Sequence, residues 1–119
     1  MSNNYNNVLA GLIFSEIFNE KICMRNFKDF SIWRNGLDLS LRIYEITEQF
    51  QNKERFGLVS QMRRVAISIP SNIAEGCSRS SKKELVRFLE ISLGSAFELE
   101  TQILLTIHLD WIKKATKNS

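Results

Sequence analysis

Apolar residues recur three or four positions apart through most of this chain, the period of an α-helix. The clearest run is residues 55–79, RFGLVSQMRRVAISIPSNIAEGCSR, where Leu58, Met62, Val65, Ile69 and Ile73 mark one face. Val59, Ala66 and Ala74 widen that face, and Arg63 and Arg64 fall on the polar side. The spacing predicts a helix that opens after Gly57 and closes near Gly76, a natural left-handed C-cap position. Pro70 lies inside this pattern. An interior proline removes one hydrogen bond and presses on the carbonyl four residues earlier, here Ala66, at a cost of about 3 kcal/mol. The periodicity continues beyond it, so the pattern predicts one kinked helix; two shorter helices capped at Ser68 or Ser71 are the alternative. Ser68 and Ser71 can hydrogen-bond locally where the ladder breaks. Asn72 is placed to take a freed carbonyl and Glu75 to accept from a nearby arginine, roles that fix packing and do no chemistry.

The same period extends to both sides. Residues 31–50 predict a helix with Ser31 as candidate N-cap. Trp33, Leu37, Leu41, Tyr44 and Thr47 or Glu48 form one line, extended by Leu39, Ile43, Ile46 and Phe50. Gly36 there either admits another helix closely or merely weakens the first turn. After a tight connection at residues 77–81, Ser81 and Glu84 make a capping box. The longest helix follows, residues 82–109. Leu85, Phe88, Ser92, Ser95, Leu99, Gln102 and Thr106 trace one seam; Val86, Leu89, Leu93, Ala96 and Ile103 trace its neighbour. Phe97, Leu104 and Ile107 fall partly outside both, and Gly94 and Ser95 are small enough for a partner backbone to come close. So wide an apolar sector needs cover on more than one side, from another subunit or from residues 8–22. Those residues predict a short amphipathic helix using Leu9, Leu12, Ile13, Ile17 and Phe18. The expected organisation is an N-terminal extension over residues 1–25, partly disordered or a short helix, then an all-α bundle over 26–112 and a flexible basic tail over 113–119.

Composition supports long helices: one proline and five glycines in 119 residues leave little material for turns. The formal charge is +3, which permits an acidic partner without demanding one. Its distribution is more telling. Residues 51–88 carry eight basic and three acidic groups, a net of +5; residues 89–112 carry four acidic groups and no lysine or arginine. Positive charge therefore gathers on the central helix and the turn after it. Arg63, Arg64, Arg79, Lys82, Lys83 and Arg87 are the candidate contacts for RNA, DNA or another partner, able to neutralise phosphates without reading bases. Pairing of Arg63 or Arg64 with Glu75, Glu84 or a neighbouring subunit's carboxylate is the structural alternative.

Catalytic, metal and cofactor sites are not expected, and neither is a small-molecule substrate. A serine triad needs a histidine base, and the single histidine, His108, sits near a helix end. Glu98 and Glu100 are two apart and cannot face one another on a helix; Glu90, Glu98 and Asp110 read as a solvated acidic face. Cys23 and Cys77 lack metal-ligand spacing and read as thiols in a reducing cytosol, with a disulfide between them left open. The early apolar run at residues 8–14 is far below the roughly 20 residues a bilayer requires, and the asparagine-rich start does not resemble a signal peptide. A cytoplasmic protein is expected.

Three stretches carry a specific resemblance: FKDFSIWRNGLDLSLRIYEIT, RFGLVSQMRRVAISIPSNIAEG and SKKELVRFLEISLGSAFELETQ. They closely resemble the bacterial 23S rRNA-intervening-sequence proteins, also called S23 ribosomal proteins, over about residues 26–112. The most specific part is held by Ser60, Gln61, Arg63, Arg64, Ala66 and residues 68–76. The resemblance implies an up-down four-helix bundle that assembles into homopentamers, with no assigned biochemical role. A related protein of diversity-generating retroelements forms a basic pentameric barrel that engages a reverse transcriptase and nucleic acid. By character and location, the basic residues named above would play that part here. Members usually continue past a segment like HLDWI into a fourth long helix, whereas here KKATKNS follows Ile112. The resemblance thus implies either a truncated frame or a fourth place partly filled by residues 8–22. A protein-binding adaptor without nucleic-acid contact is the alternative function, with an enzyme of unknown class a distant third.

Overall fold

The computed structural model describes residues 26–51, 53 and 55–112; the expectations for residues 1–25 and 113–119 lie outside them. The described residues form three helices: α1 (Ser31–Glu48), α2 (Ser60–Cys77) and α3 (Lys82–His108). A 3-10 turn at Phe27–Asp29 leads into α1, and a wide turn at Arg55–Val59 leads into α2. α2 is the middle element. It packs on α1 along one side and on α3 along another, while α1 and α3 barely meet. Just beyond their C-terminal ends, the rings of Phe50 and Trp111 stand edge to face, 5.6 Å apart.

Several boundaries differ from the sequence expectation. Ser31 is the first helical residue of α1, not its cap; Phe30 holds the N-cap position without a side-chain hydrogen bond. The buried phenyl ring of Phe30 anchors that end by packing instead. α2 starts at Ser60, because Gly57 leaves helical geometry (φ −105°, ψ −111°) and breaks the turn before it. Gly76 is not a left-handed cap. No glycine among the described residues has positive φ, and α2 runs on through Gly76 to Cys77, with Ser78 at the C-cap. At α3 the expected cap is present, with Ser81 Oγ accepting from the Glu84 amide at 3.1 Å.

The apolar stripe of α2 is buried much as its spacing predicts: Val59, Met62, Ala66, Ile69 and Ile73 are inaccessible, and Leu58, Val65 and Ala74 are half-buried. α3 buries Leu85, Leu89, Ser92, Ala96, Leu99, Gln102 and Thr106, drawing on both predicted seams. α1 turns differently from its expected line. It buries Ile32, Gly36, Leu39, Ser40, Ile43 and Thr47, and leaves Leu37, Leu41 and Tyr44 exposed. The small residues decide this. A methyl group built on Gly36 would lie 3.3 Å from Ile69 Cγ2 and 3.4 Å from Pro70 N, so α1 meets α2 backbone first. The close-approach reading of Gly36 is the one realised. Gly94, by contrast, has open space around it among the described residues.

α2 is a single helix through Pro70, which is buried within it; the two-helix alternative is not adopted. Proline takes away the amide that would bond the Ala66 carbonyl. The replacement comes from α1, where Ser40 Oγ lies 2.8 Å from Ala66 O and 3.0 Å from its own Gly36 O. From the other side Ser92 Oγ donates to Ile69 O at 2.9 Å. Ser68 Oγ donates to Val65 O at 2.6 Å, and Asn72 Nδ2 donates to Ser68 O at 2.7 Å. Asn72 therefore serves its own turn and not the carbonyl that Pro70 frees. Ser40→Ala should strand a buried carbonyl and cost about 1–2 kcal/mol. In a Pro70→Ala background, where a backbone amide again reaches Ala66 O, most of that cost should vanish. Urea unfolding of the four proteins in this double-mutant cycle measures the coupling; a Ser40→Ala cost independent of residue 70 would refute the replacement.

Candidate functional site

The basic residues singled out in the sequence do not come together. Arg63 and Arg64 lie in the first turns of α2, and Arg79, Lys82, Lys83 and Arg87 surround its far end. Sixteen residues separate Arg63 from Arg79, roughly 24 Å along a helix rising about 1.5 Å per residue.

Arg63 is committed to holding α1 on α2. Its Nε donates to Thr47 Oγ1 at 2.9 Å, its Nη2 meets Glu48 Oε2 at 3.0 Å, and its guanidinium lies 4.6 Å from the centre of the Tyr44 ring. Thr47 passes the interaction on by donating to Ile43 O at 2.6 Å. Only a quarter of the Arg63 side chain is accessible. A planar fork meeting a hydroxyl, a carboxylate and a ring face is a geometry lysine cannot reproduce. The sequence reading foresaw a carboxylate partner but named Glu75, Glu84 or a second subunit; the partner is Glu48, brought in by the α1–α2 crossing. Arg64 points to the exposed side.

At the α2–α3 turn, two arginines flank one ring. Arg79 Nη2 pairs with Glu75 Oε1 at 3.1 Å and stands 4.8 Å from the Phe88 ring centre. Arg87 Nη1 pairs with Glu84 Oε2 at 3.6 Å and lies 5.9 Å from the same centre. Lys82 and Lys83 are exposed in the first turn of α3. The expected role of Glu75 as acceptor from an arginine is realised. The two carboxylates partly offset the local positive charge, and exposed pairs of this kind hold little free energy of their own. Gly76 sets the turn's spacing. A methyl group there would fall 2.9 Å from Phe88 Cβ and 3.2 Å from Leu85 Cδ1.

Among the described residues, no group of three or more His, Cys, Asp or Glu side chains could hold a metal ion. Exposed His108 bonds through Nδ1 to Leu104 O at 2.8 Å, one turn back along its own helix. Cys77 is buried in the core. No described helix is long and apolar enough to cross a membrane.

What the surface does present is apolar. Phe97, Leu104 and Ile107 are 51%, 42% and 40% accessible on α3, beside half-buried Leu93. Leu37, Leu41 and Tyr44 form a second row on α1. Sequence reasoning missed Ser40, which is polar at a position of the 3.6-residue register shared with Gly36 and Ile43, and that placement was the available signal; it set Thr47 or Glu48 on the line of α1 without the hydrogen bond Thr47 accepts from Arg63.

A protein-family model described as 23S rRNA-intervening sequence protein matches residues 28–119. No curated protein matches the chain.

Proposed function

The chain belongs to the 23S rRNA-intervening sequence protein family, and from that premise we propose a non-enzymatic helical interaction module that self-associates. The observation that carries this reading is the α3 row of Leu93, Phe97, Leu104 and Ile107, large side chains left open to water along a helix already packed on its other face. Covering such a row recovers about 25 cal/mol for each Å² of apolar surface removed from water. In this reading the partner is a second copy, α3 against α3 or against another helix face, and open space at Gly94 lets the partner's backbone approach. A bend of α2 at Pro70, a fourth helical place beside α1 and α3, and closure into the family's pentamer belong to the same proposal, as does work in the bacterial cytoplasm.

Contact with RNA or DNA is the second part of the proposal. It is placed at the α2–α3 turn, where Lys82 and Lys83 are exposed next to Arg79 and Arg87. Arg63 is left out, because its guanidinium is spent on Thr47 and Glu48. The offsetting carboxylates Glu75 and Glu84 favour the competing reading, a protein-only adaptor.

Sedimentation velocity over a range of concentrations tests association. The natural chain should sediment as an oligomer, and Phe97→Glu with Leu104→Glu should return it to monomer with its helix content unchanged. A monodisperse monomer at every concentration overturns the module. Mobility shifts with structured rRNA fragments test the turn. Replacing Arg79, Lys82 and Lys83 with glutamate should weaken binding by at least about tenfold and flatten its salt dependence; binding that ignores the triple replacement rules the turn out.

A further inference from the structure

Charge divides the exposed faces of this chain in a way that selects how two copies meet. Residues 89–112 carry four acidic groups and no lysine or arginine. On α3, Glu90 and Glu98 are exposed and make no ion pair among the described residues. Glu90 lies on the same side of the helix as Leu93 and Phe97. The outer face of α2 is the counterpart. Residues 60–74 carry two arginines and no acidic group. Arg63 is spent on α1, whereas Arg64 is exposed and, among the described residues, unpaired. It shares its face with Ser60, Ile67 and Ser71, all exposed, at the three- and four-residue spacing of one helix side. Ile67 is 43% accessible, a large apolar side chain on the side of α2 that neither α1 nor α3 covers.

We infer that two copies join through unlike faces: the α3 row of Leu93, Phe97 and Leu104 on one copy docks against the Ser60–Arg64–Ile67–Ser71 face of α2 on the next. This rests on the self-association proposed above and names the surface that the α3 row meets. Pairing α3 with α3 would set one acidic helix against another, with no lysine or arginine between residues 89 and 112 to offset them, and like charges facing each other disfavour a contact. Against α2 the same carboxylates meet Arg64. Shape agrees with charge. Phe97 and Leu104 are seven residues apart, and so are Ser60 and Ile67, and Arg64 and Ser71, each pair about 10 Å apart along its helix. Large side chains of one copy therefore seat beside the small serines of the other, and Ile67 meets apolar surface.

The α1 row of Leu37, Leu41 and Tyr44 is the competing surface, and charge decides against it. Residues 31–48 carry three acidic and two basic groups, and Arg42 there already meets Asp38 at 3.5 Å. An acidic α3 gains no counterpart to Arg64 on that face. Because the two halves of the contact lie on different helices, each copy carries one of each, and a joined pair still has one of each free. A contact between like faces would stop at two copies.

Mixing two blocked chains tests it. Phe97→Glu with Leu104→Glu blocks the α3 face, and Arg64→Glu with Ile67→Glu blocks the α2 face; all four side chains are exposed. In sedimentation velocity each variant alone should be monomeric, with the helix content of the natural chain by circular dichroism. An equimolar mixture should form a one-to-one pair, since one chain keeps its α2 face and the other its α3 face. Arg64→Glu alone should weaken association at least about tenfold, and added salt should weaken association of the natural chain. An α2-face variant that associates as the natural chain does would leave α3 against α3, overturning the inference while sparing the module. A mixture that stays monomeric overturns it too. A natural chain that is monomeric at every concentration overturns the module and this contact together. If the α2-face pair of substitutions lowers helix content, Arg64→Glu alone carries the test, and association undiminished by it overturns the inference.

Discussion

Ile69→Ala should lower the unfolding free energy by about 3–4 kcal/mol, among the largest losses available to a single core substitution here. Ile69 is wholly inaccessible and sits where all three helices meet. Its Cγ2 is the atom nearest the missing side chain of Gly36, and its carbonyl takes the hydroxyl of Ser92. Removing the branched side chain leaves a void that the surroundings cannot close. α1 already approaches through a glycine, and Pro70 restrains the next residue of α2. Urea unfolding followed by circular dichroism measures the loss; Ile67→Ala, at a 43% accessible position, is the control and should cost no more than about 0.5 kcal/mol. Equal costs at 67 and 69 would mean that α2 packs through a different face.

Gly76→Val should cost about 3 kcal/mol by the opposite mechanism, overpacking. In a helix interior, replacing glycine ordinarily helps, by up to about 1 kcal/mol for alanine, and Gly76 has an ordinary negative φ. The penalty comes from α3. The first added carbon would stand 2.9 Å from Phe88 Cβ and 3.4 Å from Leu85 O, and neither atom can swing aside as the end of a flexible side chain can. Gly76→Ala should fall between the two, the helix gain partly offsetting the clash. A shift of the urea midpoint to lower concentration with an unchanged slope is the expected signature. A stabilised Gly76→Val protein would show that α2 and α3 do not cross there.

Much of this molecule was legible from period alone. The three helices, the continuation of α2 past Pro70, the seam of α3 from Leu85 to Thr106 and the Ser81 cap all follow from local spacing and capping chemistry. Those are interactions between residues a few positions apart, so the linear pattern contains them. The errors share one cause. α1 was expected to bury the Trp33–Leu37–Leu41–Tyr44 line together with Leu39, Ile43, Ile46 and Phe50, yet Leu37, Leu41 and Tyr44 are exposed and Gly36 and Ser40 face α2. Close backbone approach and a carbonyl in need of a donor outweighed side-chain hydrophobicity. Gly76 was read as a cap from its residue type, when its use is steric and depends on Phe88.

The candidate site divides in the same way. Charge counting found the excess of positive groups between residues 51 and 88, and that excess is a property of the sequence. Which of those cations face a partner depends on the crossing of α1 and α2, which sends Arg63 to Thr47 and Glu48, and on the α2–α3 turn, which sets Arg79 and Arg87 around Phe88. Helix content, helix order and family membership are thus properties of the chain as written, because each rests on neighbours in sequence. The buried face of α1, the partner of the Ala66 carbonyl and the division of the basic residues exist only once three helices meet, because each depends on atoms that sequence separates by tens of residues.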